Sequence, residues 1–383
     1  MPHPYDTAVI GAGVFGAWAA WHLRRAGQRV LLVDQYGPAS ARASSGGETR
    51  VIRMAYGPDE VYTRLSQASL LGWKALFAGL GQPDLFRETG VLWLAAAGDA
   101  RAAQSLDVLA RNHVRHEVLD AGDLASRYPQ IAVAEGDRGL FEPDSGALLA
   151  RRAVQALVAA CVAAGVDLRI DTVLPVAGDA RMDALRTASG EPVRAANVVF
   201  ACGPWLGRVL PDVLGGRLFP TRQEVFYFGA APGDTRFAAP AMPVWLDSAR
   251  DYYGLPDLDG RGFKLACDAH GEIVDPDTQD RAPTPARIAH ARAFLALRFP
   301  ALAQAPLLGA EVCQYENTSS GDFVLDRHPA CATAWIAVGG SGHGFKHGPA
   351  AGAYLAARIL DDGPVEPRFG LAGKQAVQQR EVH

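Results

Sequence analysis

Near its start the chain carries a glycine pattern that few backbone arrangements tolerate. Gly11-Ala12-Gly13-Val14-Phe15-Gly16 follows a short apolar run at residues 6–10 and opens a helical run from about Val14 to Ala26. A second strand reads from Gln28 to Val33 and ends in Asp34. Strand, glycine turn, helix and strand within about 30 residues make one βαβ unit. Gly11 permits the tight turn, Gly13 lets backbone approach a pyrophosphate, and Gly16 lets helix and strand pack closely. Val14 and Phe15 begin a helix whose free N–H groups and positive dipole end suit phosphate. Asp34 can accept hydrogen bonds from ribose hydroxyls, which favours a ribose without a 2′-phosphate. Together these predict a bound dinucleotide, the alternative being a glycine turn with no ligand. The motif does not choose between NAD and FAD.

With 383 residues there is room for two or three domains. Hydrophobic residues are 49% and charged residues 20%, the balance of a packed globular chain. Net charge is −4 and no Lys/Arg cluster resembles a nucleic-acid footprint, so that class is set aside. The longest apolar stretch, Ala156 to Val166, falls short of the about 20 residues a membrane helix needs. The N-terminus shows no charged leader or cleavage site, and a cytoplasmic location is expected. Five cysteines (161, 202, 267, 313, 331) are widely spaced without a CxxC pair, which fits buried thiols in a reducing compartment. No histidine or cysteine spacing suggests a metal site.

Helices are expected at 59–77, where Val61, Leu65, Ala68, Leu71 and Ala75 recur at helical spacing, and at 151–164, 284–298 and 349–360. Strands are expected at 92–94, 166–170, 197–201 and 335–338. From about 216 to 310 prolines, glycines and aromatic pairs predict mixed antiparallel strands. The nucleotide domain is therefore expected to be discontinuous (1–85, 146–215 and 311–372). Residues 86–145 and 216–310 would form a second, catalytic domain, and 373–383 a polar, frayed tail.

Ser44-Ser45-Gly46-Gly47-Glu48-Thr49-Arg50-Val51-Ile52-Arg53, followed by Ala55-Tyr56-Gly57, resembles the SSxGxTRxxRxAYG signature of the monomeric sarcosine oxidase family. Four further stretches are similar and in order: Tyr253-Gly254-Leu255-Pro256 with Gly262-Phe263-Lys264-Leu265; Asp275-Pro276-Asp277; Cys313-Gln314-Tyr315 with Asp326-Arg327-His328-Pro329; and Gly340-Ser341-Gly342-His343-Gly344-Phe345-Lys346. The likeness runs from residue 7 to about 360. It implies a glutathione-reductase-like FAD domain of α/β type with a Rossmann core. A second, α+β catalytic domain would be built on a large mixed or antiparallel sheet. It also implies a reaction: an amino acid or secondary amine loses hydride from the carbon beside nitrogen to flavin N5. The imine is then hydrolysed, and electrons pass to dioxygen to give hydrogen peroxide. The partners implied are a small amine or amino acid and O2, with a monomeric protein.

The same resemblance assigns roles. Cys313 would carry FAD through a thioether. Lys264 would activate dioxygen, as a cation stabilising developing negative charge. Arg53 and Lys346 would clamp the substrate carboxylate, which requires the last glycine loop to pack against the 44–57 segment. Arg50 would stand near the flavin ring, and Tyr253 and Tyr315 would line the substrate cavity. Ser44, Ser45, Gly46, Gly342, Gly344 and Phe345 fall in the two flavin loops. Two positions depart from the pattern. Gly46 replaces a usual His and is expected to open space beside the flavin. Asp268, where another His is common, would place an anion at the cavity. Read without the family, Lys264 and Arg53 suit surface cations and Tyr253 a core tyrosine. The rival functions are a flavin dehydrogenase of the same fold and a non-catalytic flavin-binding module.

Overall fold

The computed structural model describes residues 4–176, 182–361 and 363–379. Tyr5–Ile10 forms the centre of a seven-stranded sheet, parallel to Val30–Asp34 on one side and Val193–Phe200 on the other. Asp167–Ile170 extends it beyond Val30–Asp34. Cys331–Val338 extends the other side in parallel and folds back antiparallel onto Val324–His328. The central strands are continuous apolar runs because helices cover them. Val14–Arg25, Ala150–Ala163 and Gly348–Asp361 supply one such layer. Gly352 lets that layer close: a Cβ there would lie 2.6 Å from Trp18 backbone.

The second sheet has eight strands, in the order Leu307–Asn317, Phe219–Phe228, Phe263–Cys267, Tyr252–Leu255, Val244–Asp247, Val91–Ala95, Arg138–Glu142, Glu117–Leu119. Only the pairing of Val244–Asp247 with Val91–Ala95 is parallel. One face packs Phe226, Phe228, Trp245, Phe263 and Leu265 against the Pro285–Arg298 helix. The other face is left for chemistry. A small third sheet joins Arg50–Ile52, Gly146–Leu148 and Phe86–Arg87.

Three expectations need correcting. The Leu307–Asn317 strand lies wholly in the eight-stranded sheet, paired with Phe219–Phe228 along its length, so the boundary expected at residue 311 cuts a strand. The Glu60–Gly79 helix exists, but Leu71 is 70% exposed and the buried stripe is Tyr62, Ser66, Ser69, Leu70, Trp73, Leu76 and Phe77. The tail docks through residue 379. Gln375 N donates to Ser319 Oγ at 2.9 Å, Gln379 N to Ser319 O at 2.8 Å, and Lys374 Nζ to Ser320 Oγ at 3.1 Å. Residues 380–383 lie outside the described residues.

Candidate active site

A cleft of about 1160 Å³, open to solvent, runs along the carboxyl ends of the parallel strands. Its floor is the glycine loop. Gly11 sits at φ +110°, and a Cβ there would fall 2.3 Å from Ala201 O. At Gly16 it would fall 1.9 Å from Gly11 O. At Gly13 the nearest neighbour is Ser45 Oγ at 3.4 Å, so this glycine keeps a bare face toward the cleft. The helix that Val14 begins has no side-chain cap at Gly13, so its first-turn N–H groups are open to an anion. Asp34 lines the cleft and accepts from the backbone N–H of Ala12 (2.7 Å), Tyr36 (2.9 Å) and Gly37 (2.8 Å). Burial pushes its carboxyl up, and the three N–H groups pull it back down. These features fit a dinucleotide: bare backbone for the pyrophosphate and a carboxylate at the adenosine end.

The far end of the cleft meets the open face of the eight-stranded sheet. Alternation and register put Tyr253, Lys264, Cys313 and Tyr315 on that one face. Tyr253 lies opposite Ala266, Lys264 opposite Tyr227, Cys313 opposite Gln223, and Tyr315 opposite Thr221. Lys264 is buried, and its Nζ donates to Thr49 O (3.0 Å) and Thr49 Oγ1 (3.1 Å). Burial, with the Arg50 guanidinium nearby, pulls its ammonium down to about 7. Burial raises the Cys313 thiol, while Arg50 and Lys264 oppose that shift. Two buried polar atoms on this face, Gln223 Nε2 and Tyr227 Oη, have no hydrogen-bond partner among the described residues. Orphans of this kind mark a place where a polar ring system would supply the missing bonds.

Arg50 closes this end. Its guanidinium donates to Ser44 O (2.7 Å) and Thr49 O (2.8 Å) and lies against Gly47, where a Cβ would be 2.5 Å from Nη1. Gly46 does not open space as expected: its Cβ direction is filled by Ser40 O at 1.9 Å. The replacement of a side chain by hydrogen here lets the 40–46 turn close on itself. Gly342, at φ +79°, allows the Tyr315 ring within 2.7 Å of where its Cβ would be. Gly344 packs against Gly340 and Phe15, and Phe345 stacks on Trp73 with centroids 5.7 Å apart.

A second cavity, about 620 Å³, shares Arg50, Tyr315, Gly342 and Phe345 with the cleft. Arg53, Lys346, Tyr253 and Asp268 complete it. The last glycine loop does pack against the 44–57 segment, as the clamp requires. Lys346 Nζ donates to Tyr56 Oη at 2.7 Å and His343 O at 3.0 Å. The Arg53 guanidinium lies 4.1 Å from the Tyr56 ring centroid and 4.7 Å from that of Trp93, and it donates to Ala55 O. Burial and the neighbouring Arg53 charge pull the Lys346 ammonium well below its ordinary value. Asp268 Oδ1 accepts from Tyr315 Oη at 2.9 Å, and Tyr253 Oη lies 3.5 Å from Tyr315 Oη.

Three contributors escaped the sequence reading. Tyr56 was quoted in a motif without a role, yet it touches both clamp cations and His347 Nε2 (2.9 Å). Thr49 is the acceptor for Lys264. Glu142 is buried and accepts from Met54 N (2.6 Å), Ala55 N (3.0 Å), Trp93 Nε1 (3.2 Å) and Ser145 Oγ (2.7 Å). It therefore fixes the segment that carries Arg53, and nothing near it in sequence announces that.

A Rossmann-type cleft opening onto a catalytic sheet defines a flavoenzyme class, and comparison with known proteins agrees. The model of the DAO family, FAD dependent oxidoreductase, matches residues 6–358, and the chain belongs to that family. It is 31% identical over 365 residues to monomeric sarcosine oxidase of Bacillus sp. (strain NS-129), covering 93% of each chain. It is 30% identical over 366 residues to N-methyl-L-tryptophan oxidase of Salmonella arizonae, covering 94% of this chain and 96% of that one. Among solved structures, L-proline dehydrogenase from P. horikoshii shares the fold, with a TM-score of 0.83 at 19% identity over 97% of this chain and 98% of that one.

Proposed function

We propose that this protein is an oxidase of amino acids, in particular N-substituted ones, with dioxygen as acceptor and FAD attached through Cys313. The supporting observation is that Arg53 and Lys346, far apart in sequence, converge on Tyr56 in a cavity that adjoins the Lys264, Arg50 and Cys313 face. Relatives named as oxidases of sarcosine and N-methyl-L-tryptophan favour the same substrate class. Bound FAD supplies the two-electron acceptor that takes hydride from the carbon beside nitrogen and returns electrons to dioxygen. The residues do the rest. Gly11, Gly13 and the helix start would hold the pyrophosphate, Asp34 the ribose, and Cys313 Sγ the ring. Arg53 grips the substrate carboxylate bidentately and Lys346 adds a second charge. Tyr253 and Tyr315 shape the cavity around the amine. Lys264, dry and in its protonated form, would stabilise charge developing on dioxygen. Relatives named monomeric sarcosine oxidase favour a monomer. The unpaired cysteines suit a reducing, cytoplasmic setting.

The test is an anaerobic titration of the yellow holoenzyme with secondary and primary amino acids, followed by mixing with oxygenated buffer. Bleaching by amino acids and rapid recolouring with peroxide formation is expected. Bleaching without recolouring assigns the enzyme to the dehydrogenases, and no bleaching by any amine removes the catalytic reading. Acid-precipitated protein should remain yellow, and Cys313→Ala should lose that property.

A further inference from the structure

The carboxylate clamp leaves one charge in the cavity without a role. Asp268 is the sole carboxylate among the described residues lining that space. It stands just beyond the Phe263–Cys267 strand, in phase with Lys264, which aims it at the same side of the sheet. Its backbone N donates to Asp251 O at 2.6 Å and its Oδ1 accepts from Tyr315 Oη at 2.9 Å, so its position is held from two elements. Arg53, Lys346, Tyr253 and His270 line the same cavity, the positive charges of Arg53 and Lys346 favour its ionised form, and the like charge of Asp251 opposes it. Lys346 gives hydrogen bonds to Tyr56 and His343. Arg50, Arg53 and Lys346 as cations and Asp268 as the one carboxylate among the described residues thus line a single small space.

We propose that Asp268 seats the positively charged nitrogen of the substrate while Arg53 and Lys346 take its carboxylate. This rests on the amino-acid reading above and narrows it to zwitterions with a basic nitrogen. An amino acid carries its two charges a few bonds apart, so a site with both signs accepts it in one orientation. The C–H between them is then held where the cavity joins the cleft, beside Tyr315 and Arg50, and hydride leaves it only once the nitrogen has passed its proton to the Asp268 carboxylate, which frees the lone pair that forms the C=N bond. A carboxylate held away from water is costly unless neutralised, and an ammonium group neutralises it. The same charge rejects N-acyl amino acids, whose nitrogen is neutral, and acids that present a second carboxylate there. Asp268 is in this sense a specificity residue.

The proposal is tested by equilibrium binding of three unreactive probes to the holoenzyme, read by flavin absorbance and tryptophan fluorescence. Trimethylammonioacetate carries both charges, methylthioacetate the carboxylate alone, and ethyltrimethylammonium the cation alone. Asp268→Asn should weaken both cationic probes by at least about tenfold and change methylthioacetate by less than about threefold. Asp268→Glu should keep the preference for cations. Asp268→Ser provides the comparison if the Asn variant does not fold, with an unchanged flavin spectrum as the criterion. Equal loss for methylthioacetate and trimethylammonioacetate would show that Asp268 only shapes the cavity, and overturns the proposal. Unchanged affinity for the two cationic probes overturns it as well. Failure of methylthioacetate to bind the wild type counts against the clamp instead, and ethyltrimethylammonium then still decides the role of Asp268.

Discussion

Arg53 lays its guanidinium over the Tyr56 ring while Lys346 donates to the hydroxyl of the same residue, so one aromatic side chain organises both cations. Tyr56→Phe keeps the ring and removes the hydroxyl. It should weaken a simple carboxylate inhibitor by about tenfold, the worth of one hydrogen bond to a charged group. Arg53→Met should weaken it by roughly 10- to 150-fold and abolish most of the preference for an amino acid over its decarboxylated amine. Equal oxidation of acid and amine by the wild type would refute the clamp. Lys264 makes a separate prediction. Its ammonium titrates near 7 because burial and Arg50 disfavour the charge, so the protonated fraction falls as pH rises through that value. The flavin reoxidation rate should fall over the same range. Lys264→Met should slow it by at least about 10²-fold, or roughly 2.7 kcal/mol of barrier, and flatten its pH dependence, while anaerobic reduction changes much less. Stopped-flow measurement of the two half-reactions decides this, and a parallel fall in both would mean a structural role. The chemistry-bearing residues were legible because their neighbours in sequence are distinctive. The residues that position them, Tyr56 and Glu142, were not, because the contacts defining their roles join distant parts of the chain.

At the scale of elements, most strands and helices lie where apolar period and glycine punctuation put them. The Glu60–Gly79 helix shows where that reading fails. Its aliphatic positions suggested one face, yet Thr63, Ser66 and Ser69 lie on the buried one. Thr63 Oγ1 donates to Met54 O at 2.8 Å and Ser69 Oγ accepts from Ala350 N at 3.2 Å, so two of the three are buried with partners that sequence does not reveal, while Ser66 Oγ has none among the described residues. The Glu142 carboxylate shows the same principle, joining the Arg53 segment to the Val91–Ala95 strand through Trp93. Glu142→Gln turns an amide donor toward a set of donors and should destabilise the protein by about 2 kcal/mol in urea denaturation. It should also weaken carboxylate binding, since Arg53 loses its fixed backbone. Unaltered stability would mean that the four bonds are not maintained in solution. Gly352→Val, whose side chain would enter the Trp18 backbone, should cost about 2–3 kcal/mol or prevent folding, read as lost soluble yield or a lower melting temperature.

For the whole molecule, the C-terminal segment ties the two sheets' surroundings together. Gln378 Nε2 lies 2.5 Å from His270 Nδ1, and His270 lines the cavity that Arg53 and Lys346 share. Removing residues 376–383 keeps buried Lys374 and its bond to Ser320. It should cost less than about 1 kcal/mol in stability, because residues 376, 377 and 379 are exposed and Gln378 is only half-buried. It should nevertheless raise the dissociation constant of cavity ligands several-fold; an unchanged constant would place the segment outside the site's function. The sequence by itself determined the dinucleotide-binding βαβ unit, and the resemblance of its motifs implied FAD and singled out Lys264, Cys313 and Tyr315, while strand pairing put those three on one face. Glycine spacing and the two-residue period of strands are local constraints, written in neighbouring residues. Tertiary structure alone decided that strand 307–317 joins the catalytic sheet, that Gly46 closes a turn rather than opening a pocket, and that the tail docks. It also decided that Arg53 and Lys346 meet at Tyr56 in the cavity that Asp268 lines. Those outcomes depend on strand pairing, close packing and charge contacts whose partners the neighbouring sequence does not announce, from Ser40 six residues before Gly46 to Lys346 290 residues after Tyr56.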